Sequence, residues 1–150
     1  MKFYSIGMIS GYFNPLHTGH LDYIEEGFKR CDLLYAIVNN DDQVKLKGSK
    51  QFMDQKSRVR IIRALKPVYE AVISIDSDLS VRRSIRHLYE QHLDDPFVGN
   101  IFFMNGGDRK QENIPEVDVC KELGINMIYN VGGTKTESSS SLLTKIESSV

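Results

Sequence analysis

Five short apolar runs, each followed by a segment with helical spacing, constrain this chain more than any other feature of it. Residues 3–9, 33–38, 68–75, 101–104 and 125–131 have strand length, and their near-continuous hydrophobicity suits strands covered on both faces. Between them, apolar residues recur at spacings of three and four: Leu21, Ile24, Phe28 and Cys31; Val59, Ile62 and Leu65; Val81, Ile85, Leu88 and Tyr89; Val117, Cys120 and Leu123. Asp54 is placed to cap the second of these helices before Pro67, and Gly124 to end the last. Strand–helix alternation of this kind predicts an α/β three-layer sandwich around a parallel sheet, its crossovers right-handed.

At 150 residues the chain is most simply read as one domain. A domain of this size buries roughly 68–70% of its unfolded surface, enough for a core without covalent staples. A net charge of −1 argues against a bulk nucleic-acid or membrane-surface binder, so any anionic ligand must meet a local cluster of positive groups. Cys31 and Cys120 are far apart and form no CxxC pair, which suits structural thiols in a reduced, cytoplasmic protein. The N-terminal apolar stretch is short for a signal peptide, and no run approaches the roughly 18 apolar residues of a membrane span.

The chemistry concentrates where the first strand hands over to the first helix, at Gly11-Tyr12-Phe13-Asn14-Pro15-Leu16-His17-Thr18-Gly19-His20. A helix N-terminus at the end of a strand offers unpaired N–H groups and a positive dipole end to a phosphate. His17 and His20 are three apart, so their rings share a face of the first turn, and imidazoles can donate hydrogen bonds to phosphate oxygens. Gly19 lacks a side chain and lets a bulky ligand approach the backbone; Gly11 is suited to the same part. An HxxH pair by itself could also bind zinc or merely cap a turn, although no third His, Cys or carboxylate stands at ligand spacing.

Other segments fall at the same sheet edge. Gln43 to Lys50 reads as a basic loop carrying Lys45, Lys47 and Lys50. Asn105-Gly106-Gly107-Asp108 follows the fourth strand; its glycines permit close backbone approach, and Asp108 could hold a ribose hydroxyl or orient a tight turn. The run Ser138 to Ser141 directly precedes the apolar pattern Leu142, Leu143, Ile146. Its hydroxyls, with helix N-terminal N–H groups, read as a second phosphate cradle rather than as a linker. Arg82, Arg83 and Arg86 form a stripe on the third helix that reads as a solvated face, and His87 and His92 read as surface residues.

The string G-x-F-N-P-x-H-x-G-H in this context resembles the HxGH signature of the cytidylyltransferase-like nucleotidyltransferases, which include glycerol-3-phosphate cytidylyltransferases, heptose-1-phosphate adenylyltransferases and archaeal FAD synthetases. Gly106-Gly107-Asp108 resembles the GGD element of the heptose enzymes. Lys135 to Ser141 resembles the cytidylyltransferases' Arg-Thr-x-Gly-Ile-Ser-Thr, with Ser140 and Ser141 on its Ser-Thr pair. The resemblance implies a Rossmann-like sheet of strand order 3-2-1-4-5 and transfer of a nucleotidyl group from CTP or ATP to a small phosphorylated acceptor, with CTP slightly favoured. It implies that His17, His20 and Lys47 are catalytic. It places Gly11, Tyr12, Phe13, Asn14, Gly19, Arg58, Gly106, Gly107, Asp108, Ser139, Ser140 and Ser141 around the nucleotide, with Mg²⁺ carried on the phosphates and a homodimer as the assembly. Two departures stand out: Lys135 replaces an arginine, and Asn14 stands where many members have aspartate. A non-catalytic nucleotide-binding module of the same fold is the alternative from another class.

Overall fold

Alternate residues of an apolar strand go to opposite faces of a sheet, and in this chain they divide the core in two. The computed structural model describes residues 3–107 and 114–133. Along it run β1 (Tyr4–Gly11), α1 (Thr18–Phe28), β2 (Leu33–Val38), α2 (Asp41–Lys47), α3 (Gln55–Arg63), β3 (Glu70–Ile73), α4 (Arg82–Gln91), β4 (Val98–Gly106), α5 (Val117–Leu123) and β5 (Asn126–Val131). The strands pair in parallel as one five-stranded sheet of order β3-β2-β1-β4-β5, the Rossmann-like arrangement expected from the sequence.

One face gathers Ile9, Leu34, Ala36, Val38 and Met104 against Ile24 of α1 and Val59 and Ile62 of α3. The other gathers Ile6, Met8, Ile37 and Phe103 against Ile85 and Leu88 of α4 and Val119 and Cys120 of α5. Burial pushes the Cys31 thiol to about 11 and the Cys120 thiol to about 12, as suits structural cysteines. Among the described residues no helix is long and apolar enough to cross a membrane.

Some boundaries moved for identifiable reasons. β1 extends to Gly11 because Gly11 still pairs with Val38 and accepts the Asn39 N–H. β3 is shorter than its apolar run: the Val68 N–H turns back to Leu65, and the Ile75 N–H goes to the Ser84 hydroxyl. The segment read as a basic loop is largely helical. Asn40 caps α2 by accepting from the Gln43 N–H, the Gln43 side chain accepts the Asn40 N–H in return, and Gly48 closes the helix in the left-handed region (φ 80). His92 is not a plain surface residue; it is half-buried, with its ring edge on Tyr35 at 5.3 Å between centroids. Two of the arginines are engaged: Arg86 pairs with Glu122 of α5, and Arg82 lies 3.6 Å from Asp78.

The sheet opens where the site must lie. β1 and β4 are paired up to Met8 and Phe103; beyond that point the Tyr23 hydroxyl of α1 stands between them. It donates to the Met104 carbonyl at 2.5 Å and accepts the Ser10 N–H at 3.4 Å. A Cβ on Gly106 would stand 3.1 Å from the Tyr23 ring, so that glycine is needed by the tyrosine. Strand order reverses at β1, and a crevice between strands parted there is where α/β sheets of this kind take their ligands. Tyr23→Phe leaves the Met104 carbonyl without this donor and is expected to lower unfolding free energy by about 1–3 kcal/mol. Denaturant titration checks this, and unchanged stability would remove Tyr23 from the role.

Candidate active site

At the carboxyl edge of β1 the chain turns into α1, and two histidines build the turn. His17 is the N-cap: its Nδ1 accepts the Gly19 N–H at 3.1 Å. His20, three positions on, accepts the His17 N–H on its own Nδ1 at 3.1 Å. This is a capping box with imidazoles in both seats. A ring nitrogen that accepts carries no proton, so each neutral ring holds its proton on Nε2, the edge turned away from the backbone. The rings stack at 3.7 Å between centroids and 25° between planes, and Phe13 meets His20 edge-on at 5.1 Å. Capping and ligand recognition, alternatives at the level of sequence, are compatible here: the cap uses Nδ1 and sets the direction of Nε2–H.

The preceding loop is shaped by Phe13, whose ring is buried in the core and whose backbone is left-handed (φ 50). A Cβ on Gly11 would fall 2.8 Å from the Phe13 ring, so the space at Gly11, expected to admit a ligand, is taken by phenylalanine. The Phe13 ring is a wall of the core behind His20.

Asn14 and Arg58, both expected at the nucleotide, have their side chains engaged within the protein. Asn14 Nδ2 donates to the Lys50 carbonyl at 2.8 Å, and its Oδ1 accepts the Phe52 N–H at 2.8 Å. An aspartate could not make the first of these bonds, which accounts for asparagine at this position. Arg58 is 0% exposed. Its Nε donates to the Met53 carbonyl at 3.0 Å, Nη1 to the Tyr12 and Asn39 carbonyls at 2.8 and 2.6 Å, and Nη2 to Asp41 Oδ1 at 2.9 Å. The guanidinium therefore clamps the histidine loop, the end of β2 and the start of α2 together. All three guanidinium nitrogens are spent on these internal bonds, so the side chain acts here as a brace of the histidine loop.

Lys47 does reach the site. From the last turn of α2 its Nζ lies 4.3 Å from the centroid of the Tyr12 ring, next to the histidine loop. The lysine is thus carried by a helix, not by the basic loop expected. Burial pushes the Tyr12 phenol above its ordinary value; the Arg58 charge pulls it down and the Glu116 carboxylate pushes it up, both by smaller amounts. Gly19 lies in the first turn between the histidines. Gly107 takes the left-handed turn (φ 67) after β4, at the same edge. Asp108, Lys135, Ser139, Ser140 and Ser141 lie outside the described residues.

Three features escaped sequence reading: the burial of Arg58, the Tyr23 wedge, and a tier of buried polar residues (Asn39, Gln43, Asn105, Glu116) beside the crevice. The Asn40–Gln43 spacing was a signal for the helix that carries Gln43; the others depend on partners distant in sequence. Among the described residues no three of His, Cys, Asp and Glu come together as a metal cage. The stacked, backbone-pinned imidazoles, a lysine beside them and a helix N-terminus at a split sheet edge make an arrangement suited to phosphate oxygens.

A family model described as cytidylyltransferase-like matches residues 8–135. An FAD synthase from Ferroglobus placidus is 34% identical over 95 residues, covering 59% of this chain and 62% of that protein. One from Methanoculleus marisnigri is 36% identical over 112 residues, covering 71% of this chain and 74% of that protein. The chain thus matches less than two thirds of the Ferroglobus relative's own length. Among solved structures, the lipopolysaccharide core biosynthesis protein from Thermoplasma volcanium GSS1 shares the fold with a TM-score of 0.67 and 22% identity, covering 89% of this chain and 99% of that one.

Proposed function

The chain belongs to the cytidylyltransferase-like family, and from that premise we propose that it transfers a nucleotidyl group from a nucleoside triphosphate to a small phosphorylated acceptor. The observation that carries this is the His17–His20 pair, pinned by its own capping box so that two Nε2–H donors stand at a helix N-terminus. An oxygen of the acceptor's phosphate attacks the α-phosphorus, a new P–O bond forms, and the bond to the β-phosphate oxygen breaks. Pyrophosphate leaves with the bonding electrons. An ionised phosphate is already a nucleophile, so neither a covalent intermediate nor a strong base is required. The residues align the reactants and stabilise charge spreading over the phosphate oxygens.

His17 and His20 donate to the α- and β-phosphates, and Lys47 adds positive charge. Ser139, Ser140 and Ser141 would hold the outgoing phosphates and Asp108 the nucleoside, by resemblance. Mg²⁺ would enter on the nucleotide's phosphates, where it screens their charge, and no described residues are gathered to hold it independently.

The nucleotide is ATP in the reading preferred here. The Lys135 to Ser141 run leans toward CTP, but the relatives above are named FAD synthase, and FAD is flavin mononucleotide adenylylated on its phosphate. We carry that chemistry to this chain as adenylyl transfer to flavin mononucleotide or a related phosphorylated polyol. The test is incubation with Mg²⁺, ATP or CTP, and flavin mononucleotide or glycerol 3-phosphate, with chromatography of products and a pyrophosphate assay. FAD and pyrophosphate from ATP are the expected result. A CDP-linked product from CTP alone would reassign the nucleotide, and no pyrophosphate from any pair would count against transfer.

A further inference from the structure

On the face of the sheet covered by α4 and α5, the core gives way at the strands' carboxyl edge to a tier of buried polar side chains. Asn39 and Asn105 stand two residues beyond Ile37 and Phe103 on their strands and so point to the same face. Glu116 stands one helical turn before Cys120. Ile37, Phe103 and Cys120 share one core cluster, so Asn39, Asn105 and Glu116 form the next layer toward the site.

Most of this tier is internally satisfied. Asn39 Nδ2 donates to Gln43 Oε1 at 3.1 Å, Gln43 Nε2 donates to the Asp78 and Ser80 carbonyls at 2.7 and 2.8 Å, and Glu116 Oε2 accepts the Val81 N–H at 3.2 Å. Asn105 is different. It is 4% exposed, and its Nδ2 has no hydrogen-bond partner among the described residues. A buried amide without a partner is destabilising, so one held in this position calls for a partner that the described residues do not supply. It lies one residue before the Gly106–Gly107 turn, where β4 has parted from β1, and therefore borders the crevice. Glu116 is also 4% exposed, and it holds the start of α4 through the Val81 N–H; its carboxylate is among the groups that raise the Tyr12 phenol.

We propose that Asn105, with Glu116, forms a hydroxyl-recognising subsite. The amide donates to a sugar or polyol oxygen, and the carboxylate accepts a hydroxyl proton. A hydroxyl both donates and accepts, as this pair demands, whereas a phosphate is repelled by the carboxylate. The inference rests on the reading that the crevice takes a nucleoside triphosphate and a phosphorylated acceptor. The hydroxyls can come from either, as the nucleotide's ribose or the acceptor's polyol chain.

Asn105→Leu and Asn105→Ala in the full chain separate these cases. Without ligand, the unfolding midpoint of the leucine variant is expected to equal or exceed that of the wild type, because the amide loses no bond. With ligand, calorimetry with ATP and CTP and their 2′- and 3′-deoxy analogues is compared with the KM for flavin mononucleotide and glycerol 3-phosphate. A dissociation constant about tenfold weaker for the ribonucleotide, with the difference vanishing for a deoxy analogue, assigns the ribose. An unchanged nucleotide constant with a KM raised about tenfold assigns the acceptor's polyol. Midpoints lowered in both variants, or binding constants and KM all within twofold of wild type, overturn the proposal. Wild-type protein that binds neither ATP nor CTP counts against the functional reading instead, and the ligand-free midpoints still decide whether Asn105 holds a structural bond.

Discussion

His20→Ala is expected to lower turnover by about 10²- to 10³-fold, the usual effect of removing one donor from a charge-stabilising site. The substitution also removes the Nδ1 that accepts the His17 N–H, so some loss could be ascribed to the cap. His20→Gln separates the two. Glutamine is a standard capping-box residue at this position, and Gln43 already plays that part for α2. The glutamine variant is expected to unfold at the wild-type midpoint and still lose most of the activity, because its amide cannot reproduce the stacked imidazole's Nε2–H. Steady-state pyrophosphate release checks this. Full turnover in the glutamine variant would assign His20 to the cap alone.

Arg58→Ala is expected to have the largest effect on stability. The guanidinium is fully buried and serves three carbonyls and a carboxylate from separate segments of the chain. Removing one partner of a buried pair typically costs about 3–5 kcal/mol. The lower end applies here, because the Asp41 side chain stays 34% exposed and keeps part of its hydration. Arg58→Lys restores the charge, but one ammonium cannot present the planar fork that reaches Tyr12, Asn39 and Asp41 at once, so only partial recovery is expected. Denaturant unfolding gives the numbers. A stability loss below about 1 kcal/mol in the alanine variant would mean that the clamp is not what holds the histidine loop to α2.

These two residues show what a single sequence conveys. The histidine turn was legible because its geometry is local: strand, turn and helix follow one another, and spacing alone puts both rings on one face. β2 was read to the residue because a strand buried on both faces is simply an apolar run. The burial of Arg58 was not legible because it depends on carbonyls supplied by Tyr12, Asn39 and Met53. The bonds of Asn14 were not legible for a related reason, since its partners lie in the segment just before α3. The helix α2 was missed although Asn40, Gln43 and Gly48 spelled out its caps, because a polar, lysine-rich stretch lacks the apolar period by which helices are usually recognised. Gly11 and Gly106 were expected to let a ligand approach; the space a Cβ would take there is filled by Phe13 and Tyr23.

The most direct test of the account is thermal unfolding of the wild type and of His17→Ala with Mg²⁺ and each of ATP, CTP, GTP and UTP. A ligand that binds only the native state stabilises it by about 2.7 kcal/mol at a hundred times its dissociation constant. In a domain of this size that is a rise of roughly 5–10 °C. The account predicts such a rise for the wild type with ATP, and a much smaller one for His17→Ala. No rise with any of the four, or an equal rise in both proteins, would contradict a nucleotide held on the histidine pair.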